Sequence, residues 1–531
     1  MFETGTATDY ADLLERLDAF LVTNGSAFGL TYAGTGTGRL TLYKGGSASV
    51  AETFTITATS ATNFTVVGSV SGSQPAATVG VAYTGTKVQF TIVAGGTAFV
   101  AGDVFTLSTA PKWTSMRKAG GCKVTANQGT SGQVAAENVI DGRSGADAVG
   151  RWWDVSSYPA IVEFEFFAAE TIVQYAFSLL SGGSQTLTWT FDRWDGAAWV
   201  TLDSRTAVDA WASEVLQSFT IVTPVSATKY RLNVTAASSG VHDLFKVELR
   251  RAVGGFNAAF SQYVWKAPGN DGTSELYCGV HHFRRIDVDY FDWELASFDG
   301  FNAASSFYGQ PGFHGRLHLP LWNASIPYWF AANGRRVVVV AKINAQYELG
   351  FLGFGASYFT PNQVPYPAFL GGTLAHGNAP EPYWNDAAWR WSNSTDAHRM
   401  PTHSDPRQSS KRDASFYQVR LRRLDGSWHG LRSSVADSYV FSLPADEGTT
   451  WPFGAGIGTQ LDVNLNGTYA LWPAVLCDAA PNAYGELDGV AGVTGQGLSA
   501  ESLIRVGAVD WLVMHNVFRT DRDDFLAVRL D

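Results

Sequence analysis

In Glu52-Thr53-Phe54-Thr55-Ile56-Thr57-Ala58 threonines alternate with Phe54, Ile56 and Ala58 behind an opening Glu52. Successive side chains of a strand point to opposite faces, so such a run buries one face and wets the other. The alternation recurs in Arg39-Leu40-Thr41-Leu42-Tyr43-Lys44, Phe64-Thr65-Val66-Val67, Lys87-Val88-Gln89-Phe90-Thr91-Ile92 and Val104-Phe105-Thr106-Leu107, each bounded by Gly, Ser, Asn or Pro. Short strands at this spacing predict a β-sandwich between Gly29 and Thr109. The rest of the chain has the same texture. Only 16% of its 531 residues are charged, against about 25% in an average soluble protein. The deficit is filled by 55 Gly, 18 Trp, 20 Tyr and 33 Phe, which suits strands and tight turns rather than helices. The expected fold class is all-β and multi-domain.

Charge and cysteine content exclude several roles. Lys and Arg number 37 against 48 Asp and Glu, a net charge of 37 − 48 = −11. No basic run forms a stripe, so nucleic acid is not an expected partner. Cys122, Cys278 and Cys477 are far apart and odd in number, which reads as three reduced thiols rather than a disulfide framework. The start, Met1-Phe2-Glu3-Thr4-Gly5, lacks the pattern of a secretory signal. The longest aliphatic run, Val337 to Ala341, is far shorter than a membrane span. Synthesis in a reducing cytoplasm without a signal peptide is the expectation.

One helix stands out near the start. Tyr10, Leu13, Leu14, Leu17, Phe20 and Leu21 recur at i, i+3, i+4 spacing, Thr8 or Asp9 can cap the first turn, and Asn24-Gly25 ends it. Its apolar face must dock on its own domain or on a neighbouring subunit. We assign the helix and sandwich together to residues 1–111, as an assembly scaffold.

Residues 112–252 form a second β unit. It carries Asn138-Val139-Ile140-Asp141-Gly142, the aromatic step Arg151-Trp152-Trp153-Asp154, and the hairpin Trp194-Asp195-Gly196-Ala197-Ala198-Trp199. It closes on Arg231-Leu232-Asn233-Val234 and Lys246-Val247-Glu248-Leu249. In these features it resembles the discoidin, or coagulation factor 5/8 type C, branch of the galactose-binding-like jelly rolls. The resemblance implies a structural Ca²⁺ near Asn138 and Asp141, and no other cofactor is expected. Hard cations want several oxygen ligands, and the same two residues also read as an ordinary Asx turn. If the jelly roll binds glycan, Trp152, Trp153 and Trp194 are the candidate stacking platforms, although a Trp on a sandwich is also at home in the core.

Residues 253–531 are β-rich, dense in aromatics and Gly, with a polar aromatic loop near 376–412 suited to an interface or a sugar surface. Pieces such as Pro327-Tyr328-Trp329-Phe330, Tyr484-Gly485-Glu486-Leu487-Asp488-Gly489 and the closing His515 to Leu530 resemble tailed-bacteriophage virion proteins of the tail tip or baseplate, as does the N-terminal Ala98-Phe99-Val100-Ala101-Gly102-Asp103-Val104-Phe105 pair. That resemblance implies residence in the virion tail, assembly as a trimer or higher oligomer with other virion tail proteins, and contact with host surface polysaccharide. Alternatives are a stand-alone carbohydrate-binding adhesin and a polysaccharide depolymerase; no fixed-period repeat supports the latter.

No reaction is expected. Asp287, Asp289, Asp292 and Glu294 could supply the paired carboxylates of a glycosidase, but they read as the exposed side of an ordinary strand. His314 and His318 lie in an alternating strand pattern, which sets them too far apart for one metal, and adjacent His281 and His282 point to opposite faces. No nucleophile elbow, phosphate loop or dinucleotide fingerprint occurs.

Overall fold

The computed structural model describes residues 1–129, 136–140, 153–285, 290–357, 367–370, 419–422, 428–433, 471–477, 483–493, 495–515 and 525–531. The fold is all-β with one α-helix among the described residues. In Glu52–Ala58 the inward set is Glu52, Phe54, Ile56 and Ala58, and the threonines face out. This strand is central in a five-stranded sheet ordered Ser26–Ala33, Val104–Ala110, Glu52–Ala58, Asn63–Gly68, Gly72–Thr78. A second sheet of Arg39–Gly45, Val88–Val93 and Ala82–Thr84 closes the sandwich over Phe54, Ile56, Phe64, Phe90 and Phe105. The inward Glu52 is tolerated because its Oε2 accepts from the Val70 and Ser71 amides and the Ser71 hydroxyl.

The helix runs Tyr10–Thr23, and its cap is Asp9, whose Oδ1 accepts from the Ala11 and Asp12 amides at 2.8 and 2.9 Å. Its apolar side does not pack on the sandwich, where the sequence reading grouped it. Leu13, Leu14, Leu17 and Leu21 enter one core with Trp113, Trp265, Trp293, Phe330 and Val339. Periodicity reveals that a helix has a face to bury; the partner is fixed by strands hundreds of residues downstream. Two sheets clasp it. One is ordered Thr114–Ala119, Gln262–Ala267, Leu276–Arg285, Tyr290–Phe298, His314–Leu321; the other is a 13-stranded sheet that begins Phe2–Ala7, Ile326–Ala332, Arg336–Ile343, Gln346–Phe354.

This arrangement makes the framework discontinuous in sequence. Trp113 donates its amide to Leu21 O at 3.1 Å, so the chain returns to the helix end after building the sandwich. Thr114–Ala119 pairs directly with Gln262–Ala267, so the jelly roll emerges between two neighbouring strands of one sheet. Its own sheets are Cys122–Ala126, Ala160–Glu170, Ala227–Ala237, Leu187–Trp194, Trp199–Val208 and, facing them, Gln217–Thr220, Gln174–Leu179, Leu244–Arg250. Between these lies an aromatic core holding Trp153, Tyr175, Trp189, Trp211 and Tyr230.

Candidate functional site

The strand registers give the jelly roll two ends. Cys122, Phe166, Tyr230, Arg193 and Trp194 lie together at the end where the chain enters and leaves. Ala126, Val162, Val234 and Leu187 lead to the far end. The two described tryptophan candidates therefore fall apart: Trp153 belongs to the far end and Trp194 to the near one.

Trp153 is fully buried. Its backbone bridges Leu244 in both directions, at 2.8 and 3.2 Å, and its Nε1 donates to Gln128 O at 2.7 Å. A ring with no exposed face cannot stack on a sugar, so Trp153 is core and the expectation for it is corrected. Trp152 and Asp141 lie outside the described residues. Asn138 sits in the short 3₁₀ turn Ala136–Ile140, and its carbonyl accepts from the Lys246 ammonium at 3.2 Å. Among the described residues no group of three His, Cys, Asp or Glu gathers closely enough to hold a metal.

The far end is built around Gln128, whose Oε1 accepts from Ser156 N, Ser156 Oγ and Ser157 N. Beside it, Asp243 accepts from the Val155 amide at 2.9 Å. Burial, together with the neighbouring Asp154, pushes the Asp243 carboxyl above the ordinary range.

Trp194 is half-buried and forms a pair with Trp199 across the hairpin, edge to face, ring centroids 5.4 Å apart. The tip is pinned by Asp195, whose Oδ1 accepts from both the Ala197 and Ala198 amides at 2.8 Å, while Gly196 takes φ +105°. Those amides hold the Asp195 carboxyl below its usual range. Behind the tip, the Arg231 guanidinium lies 4.6 Å over the Trp199 ring and is fixed by Asp192 at 2.7 Å. Asp192 in turn accepts from Thr201 and Thr190. Trp199 and Arg231 were not among the sequence candidates. The hairpin motif signalled the first; the second becomes visible only through the register that sets Arg231 opposite Asp192.

Outside the jelly roll, Asp287 and Asp289 lie outside the described residues. Glu294 is buried and accepts from Tyr308 at 2.8 Å. Ser261 Oγ lies 2.9 Å from His281 Nδ1, but both side chains are buried and the His281 ring is stacked on Phe260. The loop 376–412 also lies outside the described residues.

No family model and no curated protein matches the chain. Solved structures to which part of the chain is similar include three carbohydrate-binding modules. One is the CBM32 of AlyQ in complex with 4,5-unsaturated mannuronic acid, with 20% identity and TM-score 0.22, covering 26% of this chain and 99% of that one. Another is a pectin-binding carbohydrate-binding module, with 18% identity and TM-score 0.21, covering 24% and 90%. The third is the family 32 module of C. perfringens NanJ in complex with galactose, with 12% identity and TM-score 0.20, covering 25% and 96%.

Proposed function

We propose that this chain is a structural, non-catalytic component of a phage tail tip or baseplate. It assembles as a trimer or higher oligomer with other virion proteins and touches host surface glycan through the jelly roll. The observation that carries the glycan contact is the Trp194–Trp199 tip: two half-exposed rings on a pinned turn, held from behind by Arg231 and Asp192. Rigid aromatic faces lose little conformational entropy on binding, and their apolar bodies suit the C–H face of a sugar ring. The virion setting rests on the sequence resemblance at both ends of the chain.

Two experiments test the two halves. In a pull-down on purified host polysaccharide, Trp199→Ala and Trp194→Ala are each expected to weaken retention about threefold to tenfold. Retention unchanged in both folded variants would remove the tip from the reading. Immunogold labelling of phage particles is expected to place the chain at the tail end. Label on cells or in the medium, and none on particles, would favour the stand-alone adhesin.

A further inference from the structure

A cleft of about 220 Å³ opens where the outer side of Leu244–Arg250 meets the connection 299–313. It is smaller than the ~300–1,000 Å³ of a drug-sized pocket and suits a single sugar ring. Phe256 gives it a partly exposed apolar face, Phe260 and Phe307 are buried beneath it, and Glu248 and Arg250 stand at its wall. These two ions neutralise each other through a direct contact, and Arg250 also donates to Gln174 Oε1 at 2.9 Å.

The charge balance is broken one layer behind. Arg117 is 4% exposed, bonded at 2.8 Å to Gln262 Oε1 and at 2.8 Å to Ala303 O, with its guanidinium over the rings of Phe256 and Phe301. Gln262, Ala303 and Phe256 all line the cleft. Among the described residues no carboxylate pairs with Arg117. A buried cation without a counter-ion is costly, and guanidinium is the group that best recognises carboxylates. The layer behind the wall thus carries a positive charge with no carboxylate partner among the described residues, in a protein whose net charge is −11. Polar hydroxyls are at hand in Ser305 and Ser306.

We infer that this seam is a binding site for a carboxylate-bearing sugar ring, a hexuronate, separate from the tryptophan tip. The ring lies against Phe256, and the carboxylate meets the Arg250 guanidinium, with the Arg117 charge behind Phe256, Gln262 and Ala303 adding to the attraction. The site shares no residue with Trp194 and Trp199, so it stands or falls independently of the tip.

The test is calorimetric titration of the full chain with D-galacturonate, D-galactose and acetate. Galacturonate is expected to bind at least about tenfold more tightly than either of the others, because the carboxylate adds charge-assisted hydrogen bonds and the ring adds contact area. Ala304→Trp, at an exposed position on the rim, is expected to abolish binding with an unchanged melting temperature. Arg250→Gln is expected to weaken it about tenfold. Trp199→Ala should leave the titration unaltered. Equal affinity for galactose and galacturonate would overturn the charge argument. Acetate binding as well as galacturonate would overturn the sugar-ring assignment. No binding, or binding that survives Ala304→Trp, would overturn the site.

Discussion

Trp153 and Trp199 stand in the same jelly roll and differ in what surrounds their rings. Trp153 is packed on all sides and bonded through Nε1 to Gln128 O, whereas Trp199 has one face under Arg231 and keeps part of its surface in solvent. Trp153→Ala is therefore expected to cost about 3–5 kcal/mol in urea unfolding, as a buried ring removed from a packed core. Trp199→Ala should change stability far less and show instead in polysaccharide retention. If Trp153→Ala proved neutral in unfolding, its assignment to the core would be wrong. The sequence displays both residues equally plainly, next to turn-forming Asp and Gly. What separates them is pairing at long range: Trp153 bridges Leu244 on another sheet, and Trp199 meets Arg231 only because Leu187–Trp194 lies between their strands. The hairpin was legible because its chemistry is local, with Asp195 capping the turn that Gly196 makes.

The helix shows the same limit one level up. Its extent and apolar face follow from spacing, and the Asp9 cap follows from residue type, since a short carboxylate can reach the open amides of the first turn. Its surroundings do not follow from spacing. Trp293 Nε1 donates to Tyr10 O at 3.0 Å, and Trp265 Nε1 to Asp18 Oδ1 at 2.8 Å, both from strands far along the chain. Asp18 is buried and paired with Lys118 at 2.8 Å, an acid on the apolar side of a helix that a pattern alone would have left to solvent. Two substitutions separate local from tertiary contributions. Asp9→Ala is expected to cost about 1 kcal/mol, the ordinary value of a cap. Leu14→Ala, fully buried in the framework core, should cost about 2–5 kcal/mol. Comparable small losses in both, measured by denaturant titration, would mean that the helix is not the keystone of that core.

At the scale of the molecule, the sandwich and the jelly roll both hang from a framework assembled out of distant segments, and one buried ionic knot ties it. Arg336 has no exposed side-chain surface and lies 3.2 Å from Asp488 and 3.6 Å from Asp531. Arg529 reaches Asp488 at 3.3 Å and also contacts Asp531, whose Oδ2 accepts the Gly29 amide of the sandwich at 3.0 Å. Burial by itself would raise the Asp488 carboxyl; Arg336, Arg529 and Arg335 outweigh it and hold the group at about 2. The unfolded value is ~3.9, so the ionised form is favoured by folding. The resulting stabilisation is complete above pH ~4 and is lost as pH falls toward 2, about 2 kcal/mol over that window. Replacing Arg336 by Met leaves the carboxylates buried without their main counter-ion and is expected to cost about 3–5 kcal/mol at pH 7. Once Asp488 protonates it no longer needs that counter-ion, so the difference between variant and parent should narrow below pH 4. Urea unfolding of both proteins at pH 7, 4 and 2.5 measures the difference directly. A gap that stays constant across the series would show that the knot holds the framework by packing and not by charge.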